Sequence, residues 1–87
     1  MFKMTPAQCR SARALLDMTQ PELADKAELG LSTIVDFERM RRLIPEETLI
    51  TIRRALERAG IEFIDENGGG HGMRLNKELA TGRRSRR

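Results

Sequence analysis

Apolar residues recur at helical spacing through the first 60 positions of the chain. The clearest stripe is formed by Leu49, Ile52, Leu56 and Ala59, which lie three or four residues apart and so share one face of a helix. Three shorter stretches have inner faces of the same kind: Ala12, Leu15 and Leu16; Leu23, Ala24 and Ala27; Ile34 and Phe37. The pattern therefore predicts four helices.

Prolines and polar residues indicate where these helices begin. Each of the three prolines stands where a first helical turn tolerates a missing N–H group. Thr5 and Thr19 are each followed three positions later by a Gln or a Glu, which is the spacing of a capping box. We predict helices over residues 6–17, 20–27 and 31–40, and a fourth helix that residues 43–47 open and Gly60 stops.

The pattern changes after Gly60. Residues 61–65 favour a short strand, four of the seven glycines predict a loop over 66–72, and residues 73–75 alternate as a second strand would. We predict an all-α, compact four-helix domain with a short C-terminal β-strand or hairpin. Its divisions are a helical domain over 1–60, a strand or hairpin extension over 61–76 that is a possible dimerisation element, and a disordered basic tail over 77–87.

Composition narrows the class of protein. The 87 residues include three Phe and no Trp or Tyr, so the core must be built from small aliphatic side chains, which suits a helical bundle. One cysteine excludes an internal disulfide and fits a reducing compartment. Since the chain has neither a signal-peptide stretch nor an apolar run of roughly 20 residues, we expect a cytoplasmic protein with no membrane contact.

The basic charge is unevenly distributed. The net charge is +3, but four arginines lie in the last five residues, and the rest of the chain carries 12 basic against 13 acidic residues. Any affinity for phosphate groups must therefore come from local clusters or from the tail. The densest cluster before the tail is formed by Arg39, Arg41 and Arg42.

The stretch from Thr19 to Glu38 resembles the helix-turn-helix of Cro/phage-repressor-type (XRE family) transcriptional regulators. The matching positions are the polar start of a helix, a small residue where two helices cross, and apolar residues in the turn and the next helix: Gln20, Leu23, Ala24, Leu29, Ile34 and Phe37. The resemblance covers about residues 5–60. It also implies a structural ion pair between Arg13 and Glu38, where many members of the family place one.

Two positions depart from the family pattern. Glu28 in the turn and Met40 after the third helix stand where the family often has glycine. Glycine takes the left-handed conformation without strain, and other residues do so at a cost of roughly 1 kcal/mol. These departures bear on where the helices end and leave the fold unchanged.

The resemblance implies sequence-specific binding to double-stranded DNA, with helix 31–40 in the major groove, in a transcriptional regulator that we expect to be a repressor. It places Leu31, Ser32, Thr33 and Asp36 toward base edges, Gln20 on a phosphate, and Arg39, Arg41 and Arg42 on the DNA backbone. For Asp36 two readings stand: it accepts a hydrogen bond from cytosine, or it is a solvent-facing charge. The arginine tail is either a DNA-binding arm or a solubilising segment.

Assembly and partners leave alternatives open. Residues 61–65 either pair with a second copy of the chain to form a homodimer or fold back within one chain. A rival function keeps the fold as a protein-interaction or antitoxin module with a protein partner such as a toxin; the near-neutral body and Asp36 support it.

Catalysis has no candidate site in the sequence. Cys9 has no nearby His, and His71 has no Cys or His neighbour that would make a metal site. We predict a protein that is not an enzyme and that needs no metal or other cofactor.

Overall fold

The computed structural model describes residues 4–66 and 70–76. Four helices are followed by two strands: α1 (Pro6–Leu16), α2 (Gln20–Ala27), α3 (Leu31–Glu38), α4 (Glu46–Arg58), β1 (Ile61–Glu66) and β2 (Gly70–Leu75). The predicted fold class, four helices with a C-terminal hairpin, is confirmed. No helix in these ranges is long and apolar enough to cross a membrane, since the longest has 13 residues.

Two capping boxes start the first two helices, as the sequence predicts. The backbone N–H of Gln8 donates to the Thr5 hydroxyl at 3.1 Å, and the N–H of Thr5 donates to the Gln8 side chain at 2.8 Å. Thr19 and Glu22 repeat this exchange at 3.2 and 2.8 Å. Each box satisfies two backbone donors that the helix itself leaves unpaired, and so fixes where the helix begins.

Residues other than glycine end the first three helices in the left-handed conformation. Asp17, Glu28 and Met40 have φ angles of 56°, 58° and 57°. Each turn is closed by the two bonds of a Schellman motif; after α2, the N–H of Glu28 donates to the Asp25 carbonyl at 3.1 Å and that of Leu29 to the Ala24 carbonyl at 2.9 Å.

These turns correct two predicted helix ends. The helix predicted over 6–17 ends at Leu16, and the one predicted over 31–40 ends at Glu38. In both cases a left-handed residue reverses the chain, and the carbonyls of the last turn accept backbone N–H groups from beyond the helix. Polar composition alone did not distinguish this reversal from one more helical turn.

The core lies where α4 and β1 meet the first three helices. Its fully buried side chains are those of Leu23, Ile34, Ile52, Leu56, Ile61 and Cys9. Ala24, also buried, is small enough for α2 and α3 to cross closely. On α1, Ala12 is buried as predicted, together with Cys9. The prediction that Leu15 also faces inward was wrong, since it is 44% exposed.

The two strands pair with each other within one chain. They are antiparallel, with Ile61 opposite Leu75 and Glu66 opposite Gly70, so the strands extend into the predicted loop over 66–72. That prediction was wrong at both ends of the loop, because backbone pairing offsets the low strand preference of glycine. Phe63 and Leu75 pack against the core and hold the hairpin on the helical domain.

Glu28→Gly should stabilise the fold by about 1 kcal/mol. The exposed Glu28 has a left-handed backbone, so replacement by glycine removes a backbone strain of about 1–2 kcal/mol. Glycine also gives the unfolded chain more conformational entropy, which cancels part of this gain in stability. The midpoint of thermal unfolding should rise by roughly 4–8 °C. The control Glu28→Ala retains a Cβ atom and should change stability little. An unfolding midpoint for Glu28→Gly no higher than that of the alanine variant would contradict the strain.

Candidate nucleic-acid interface

One face of α3 points away from the core. Ile34 and Phe37 are buried on the inner face, whereas Ser32, Asp36 and Arg39 follow at helical spacing on the opposite side. Ser32 and Arg39 are exposed, and Asp36 is half-buried. We call these three residues the outer face of α3. They form a polar ridge on a helix whose other side is anchored.

The first turn of α3 carries the remaining residues that the resemblance places toward bases. Leu31 is 45% exposed. Thr33 is half-buried, and its N–H donates to the Gly30 carbonyl at 3.1 Å. Leu31 and Ser32 are therefore the more accessible of the three, and Thr33 lies at the edge of the ridge.

Asp36 on the outer face is paired with Arg42. The Nε atom of Arg42 donates to the Oδ2 atom of Asp36 at 2.8 Å, with side chains 21% exposed for Asp36 and 49% for Arg42. The backbone N–H of Arg41 also donates to the Asp36 carbonyl, at 2.8 Å. The negative charge of Asp36 on the outer face of α3 is thus balanced by Arg42 from the following turn.

At the other end of α3, the carboxylate of Glu38 is buried, and the residue is 3% exposed. Arg13 grips it with two hydrogen bonds, from Nε to Oε2 at 2.8 Å and from Nη2 to Oε1 at 2.7 Å. The Cys9 thiol donates to Oε2 at 3.0 Å, and the Gln20 amide donates to Oε1 at 3.0 Å. We call these four residues the Glu38 network; it contains both members of the ion pair that the resemblance implies.

The network sets the charge state of its members. Burial opposes ionisation of Glu38, but hydrogen bonds from Arg13, Cys9 and Gln20 outweigh it and lower the Glu38 pKa below its ordinary value. The pKa of Arg13 is raised, chiefly by its bond to Glu38. Burial, together with the bond to Glu38, raises the pKa of the Cys9 thiol well above its ordinary value. The thiol therefore stays protonated and acts as a donor.

The network joins the first three helices. Cys9 and Arg13 belong to α1, Gln20 begins α2, and Glu38 ends α3. Arg10 adds a further link, because its Nη1 atom donates to the Glu38 backbone carbonyl at 2.7 Å. The arrangement fixes the position of the C-terminal end of α3 relative to α1 and α2.

Sequence reasoning overlooked Cys9 as a member of this network and Arg10 as the neighbour that binds the Glu38 carbonyl. A signal was available for both, since Cys9 lies four residues before Arg13 and Arg10 lies three before it, which puts all three on one side of α1. What the spacing does not supply is the partner, because Glu38 is 29 positions away from Cys9.

The predicted site residues are thus arranged in two groups. Gln20 is drawn into the Glu38 network, while Asp36 and Arg42 form a pair on the outer face. Arg39 and Arg41 are exposed at the turn that follows α3. The arginine tail and the His71 side chain lie outside the residues that the structure describes.

Metal binding finds no support in the described ranges, 4–66 and 70–76. Within them, no group of three or more His, Cys, Asp or Glu side chains is placed to hold an ion.

A comparison with models of protein families matches residues 10–63 to the one described as Helix-turn-helix. The match takes in all four helices apart from the first turn of α1, and it covers more than half of the chain. A comparison with curated proteins gives no match.

Glu38→Gln should destabilise the fold by about 2 kcal/mol or more, because Arg13 loses its buried counter-charge while remaining largely enclosed. The measurement is chemical unfolding at neutral pH. Gln keeps the size of the side chain, so loss of volume does not contribute. A variant as stable as the wild-type chain would show that the network does not hold the helices.

The difference in stability between the two proteins should also depend on pH. The Glu38 pKa is lowered in the folded state, so its contribution is fully present above the ordinary pKa of 4.5 and is lost as the pH falls below that value through the lowered one. The gap in unfolding free energy between wild type and Glu38→Gln should therefore narrow from pH 6 to pH 3. A gap that stays constant over this range would contradict the assigned charge state.

Proposed function

The chain belongs to the helix-turn-helix family, and on this premise we propose that it is a transcriptional repressor that binds a specific double-stranded DNA site through α3. Members of the family are DNA-binding transcription regulators. The observation that carries the proposal is the outer face of α3, which is uncovered by the described chain while the inner face and Glu38 anchor the helix. A helix presented in this way fits a major groove roughly 12 Å wide.

The start of α3 supplies direct contacts with bases in this proposal. The hydroxyl groups of Ser32 and Thr33 donate or accept hydrogen bonds at base edges, and the exposed Leu31 contacts a thymine methyl group. None of the three carries a charge. They contribute to sequence preference and little to general affinity for DNA.

Residues on either side of α3 hold the DNA backbone. Gln20 is the first residue of α2, and the N–H groups at a helix start favour an anion such as a phosphate. Its amide nitrogen carries two hydrogens, of which one goes to Glu38, so the second remains for a phosphate oxygen. Arg39 on the outer face and Arg41 in the turn that follows are both exposed, and they supply positive charge where the body of the protein is otherwise near neutral.

The rival function, a protein-interaction or antitoxin module, drew support from a negative charge on the reading face. That charge belongs to Asp36, and its pairing with Arg42 at 2.8 Å offsets it. Repulsion of DNA phosphates by Asp36 is correspondingly weaker. The pair therefore favours DNA over a protein partner as the ligand of α3.

We further propose that two copies of the chain associate through residues 61–65. β1 pairs with β2 along one edge, and no other strand in the described ranges pairs with its second edge. An exposed strand edge is a common site of association between chains. Two copies would present their recognition helices about 34 Å apart, one turn of DNA, to a near-palindromic site.

Arg39→Ala combined with Arg41→Ala should weaken binding to all duplex sequences and reduce its salt dependence. Each lost phosphate contact lowers the slope of log K against log salt by about 0.9, so the slope should fall by about 2 for each copy of the chain in the complex. The measurement is a titration of mixed-sequence duplex at several salt concentrations. Arg54→Ala combined with Arg74→Ala removes the same charge from α4 and β2 and should leave the slope near its wild-type value.

Two outcomes of this titration would count against the proposal. Equal slopes for the wild-type chain and the Arg39/Arg41 variant would remove these arginines from the interface. No binding by the wild-type chain at low salt would reject DNA as the ligand and support the protein-interaction module.

Light scattering tests the proposed dimer. At tens of micromolar, the chain should have twice the mass of one 9.9 kDa copy. A mass that corresponds to a monomer at this concentration would reject association through β1, without affecting the proposal for α3.

A further inference from the structure

We propose that Arg42 reads a guanine in the major groove and that Asp36 is the residue that positions it. The inference rests on the proposed function of α3 and adds to it a specificity-determining pair with a stated base. It assigns to Arg42 a role different from that of Arg39 and Arg41, although the three lie within four consecutive positions.

The path of the chain brings Arg42 back to the reading face. Met40 is left-handed and reverses the direction of the backbone, and the N–H of Arg41 is bonded to the carbonyl of Asp36. Arg42 then extends to the Asp36 carboxylate, which stands between Ser32 and Arg39 on the outer face of α3. Its guanidinium therefore lies on the surface that would meet base edges.

The pair leaves the appropriate donors unused. Only the Nε atom of Arg42 is bonded to Asp36, and within residues 4–66 and 70–76 neither Nη atom has a hydrogen-bond partner. These two nitrogens form a planar fork. Guanine is the base that offers two adjacent acceptors, O6 and N7, to such a fork in the major groove.

Asp36 improves the reading by restricting Arg42. A free arginine side chain has many rotamers and loses about 2 kcal/mol of rotamer entropy when it is fixed. The bond to Asp36 restricts this motion before DNA arrives, and it also turns the fork away from the carboxylate. Because the pair carries no net charge, it adds little general attraction to phosphates and acts mainly on sequence preference.

The test begins with selection of wild-type binding sites from a pool of random duplexes. Affinities are then measured for the selected site and for each of its single-base-pair substitutions. Four proteins are compared: the wild-type chain, Arg42→Lys, Asp36→Asn and the control Arg54→Lys, which makes the same exchange at an exposed position of α4. Lysine keeps the charge at position 42 but has no planar fork, and all four proteins are checked for thermal unfolding so that a folding defect is recognised.

We expect one G·C position at which substitution costs the wild-type chain roughly tenfold to a hundredfold in affinity. Arg42→Lys and Asp36→Asn should both reduce this penalty to less than about threefold, at that position alone. Arg54→Lys should retain it. Asp36→Asn should also bind mixed-sequence duplex more tightly at low salt, because it removes a negative charge, so that affinity and specificity change in opposite directions.

Several results would overturn the inference. A loss of preference by Asp36→Asn at a position that Arg42→Lys leaves unchanged would mean that Asp36 itself accepts a hydrogen bond from cytosine. Arg42→Lys with an intact preference at every position would place Arg42 on a phosphate. In both cases the proposed function of α3 stands. A wild-type chain that enriches no sequence would instead reject sequence-specific binding, and the inference with it.

Discussion

The carboxylate of Glu38 is buried beneath three helices, and the arrangement of those helices depends on how its charge is matched. A buried ion is costly unless nearby groups replace the hydration it has lost. Arg13 supplies a counter-charge with two hydrogen bonds, and Cys9 and Gln20 supply neutral donors. Because these partners come from α1 and from the start of α2, α3 is held at one position and angle. The role proposed for α3 in reading DNA requires that rigidity.

The turn after α3 connects this anchor to the proposed reading surface. Met40 takes a left-handed conformation at position C′, where glycine is common, and thereby stops the helix directly after Glu38. Had the helix continued to residue 40, as its sequence suggested, Arg41 and Arg42 would leave along the helix axis. The reversal instead brings Arg42 beside Asp36. Backbone strain at one residue therefore decides which side chains share the outer face.

Features that depend on local spacing could be predicted from the sequence, and features that depend on packing could not. The capping boxes at Thr5 and Thr19 and the apolar stripe of α4 are set by neighbours three or four positions away. The resemblance to repressors supplied Glu38 as an ion-pair member. The thiol of Cys9 became a donor to that carboxylate only through a contact across 29 positions. Likewise, the two strands extend into the glycine-rich segment because their backbones pair with each other there.

The near-neutral body and the Asp36–Arg42 pair both limit non-specific attraction to DNA and leave directional hydrogen-bond donors available for base recognition. A regulator must distinguish its site from a large excess of other DNA, so the ratio of specific to non-specific affinity matters more than affinity itself. Positive charge raises both affinities together. A guanidinium whose charge is balanced by a neighbouring carboxylate retains its directional donors while adding little non-specific attraction. Under the proposed function, the acidic residue on the outer face of α3 is therefore consistent with DNA binding, because it would raise selectivity where a lone arginine would mainly raise affinity.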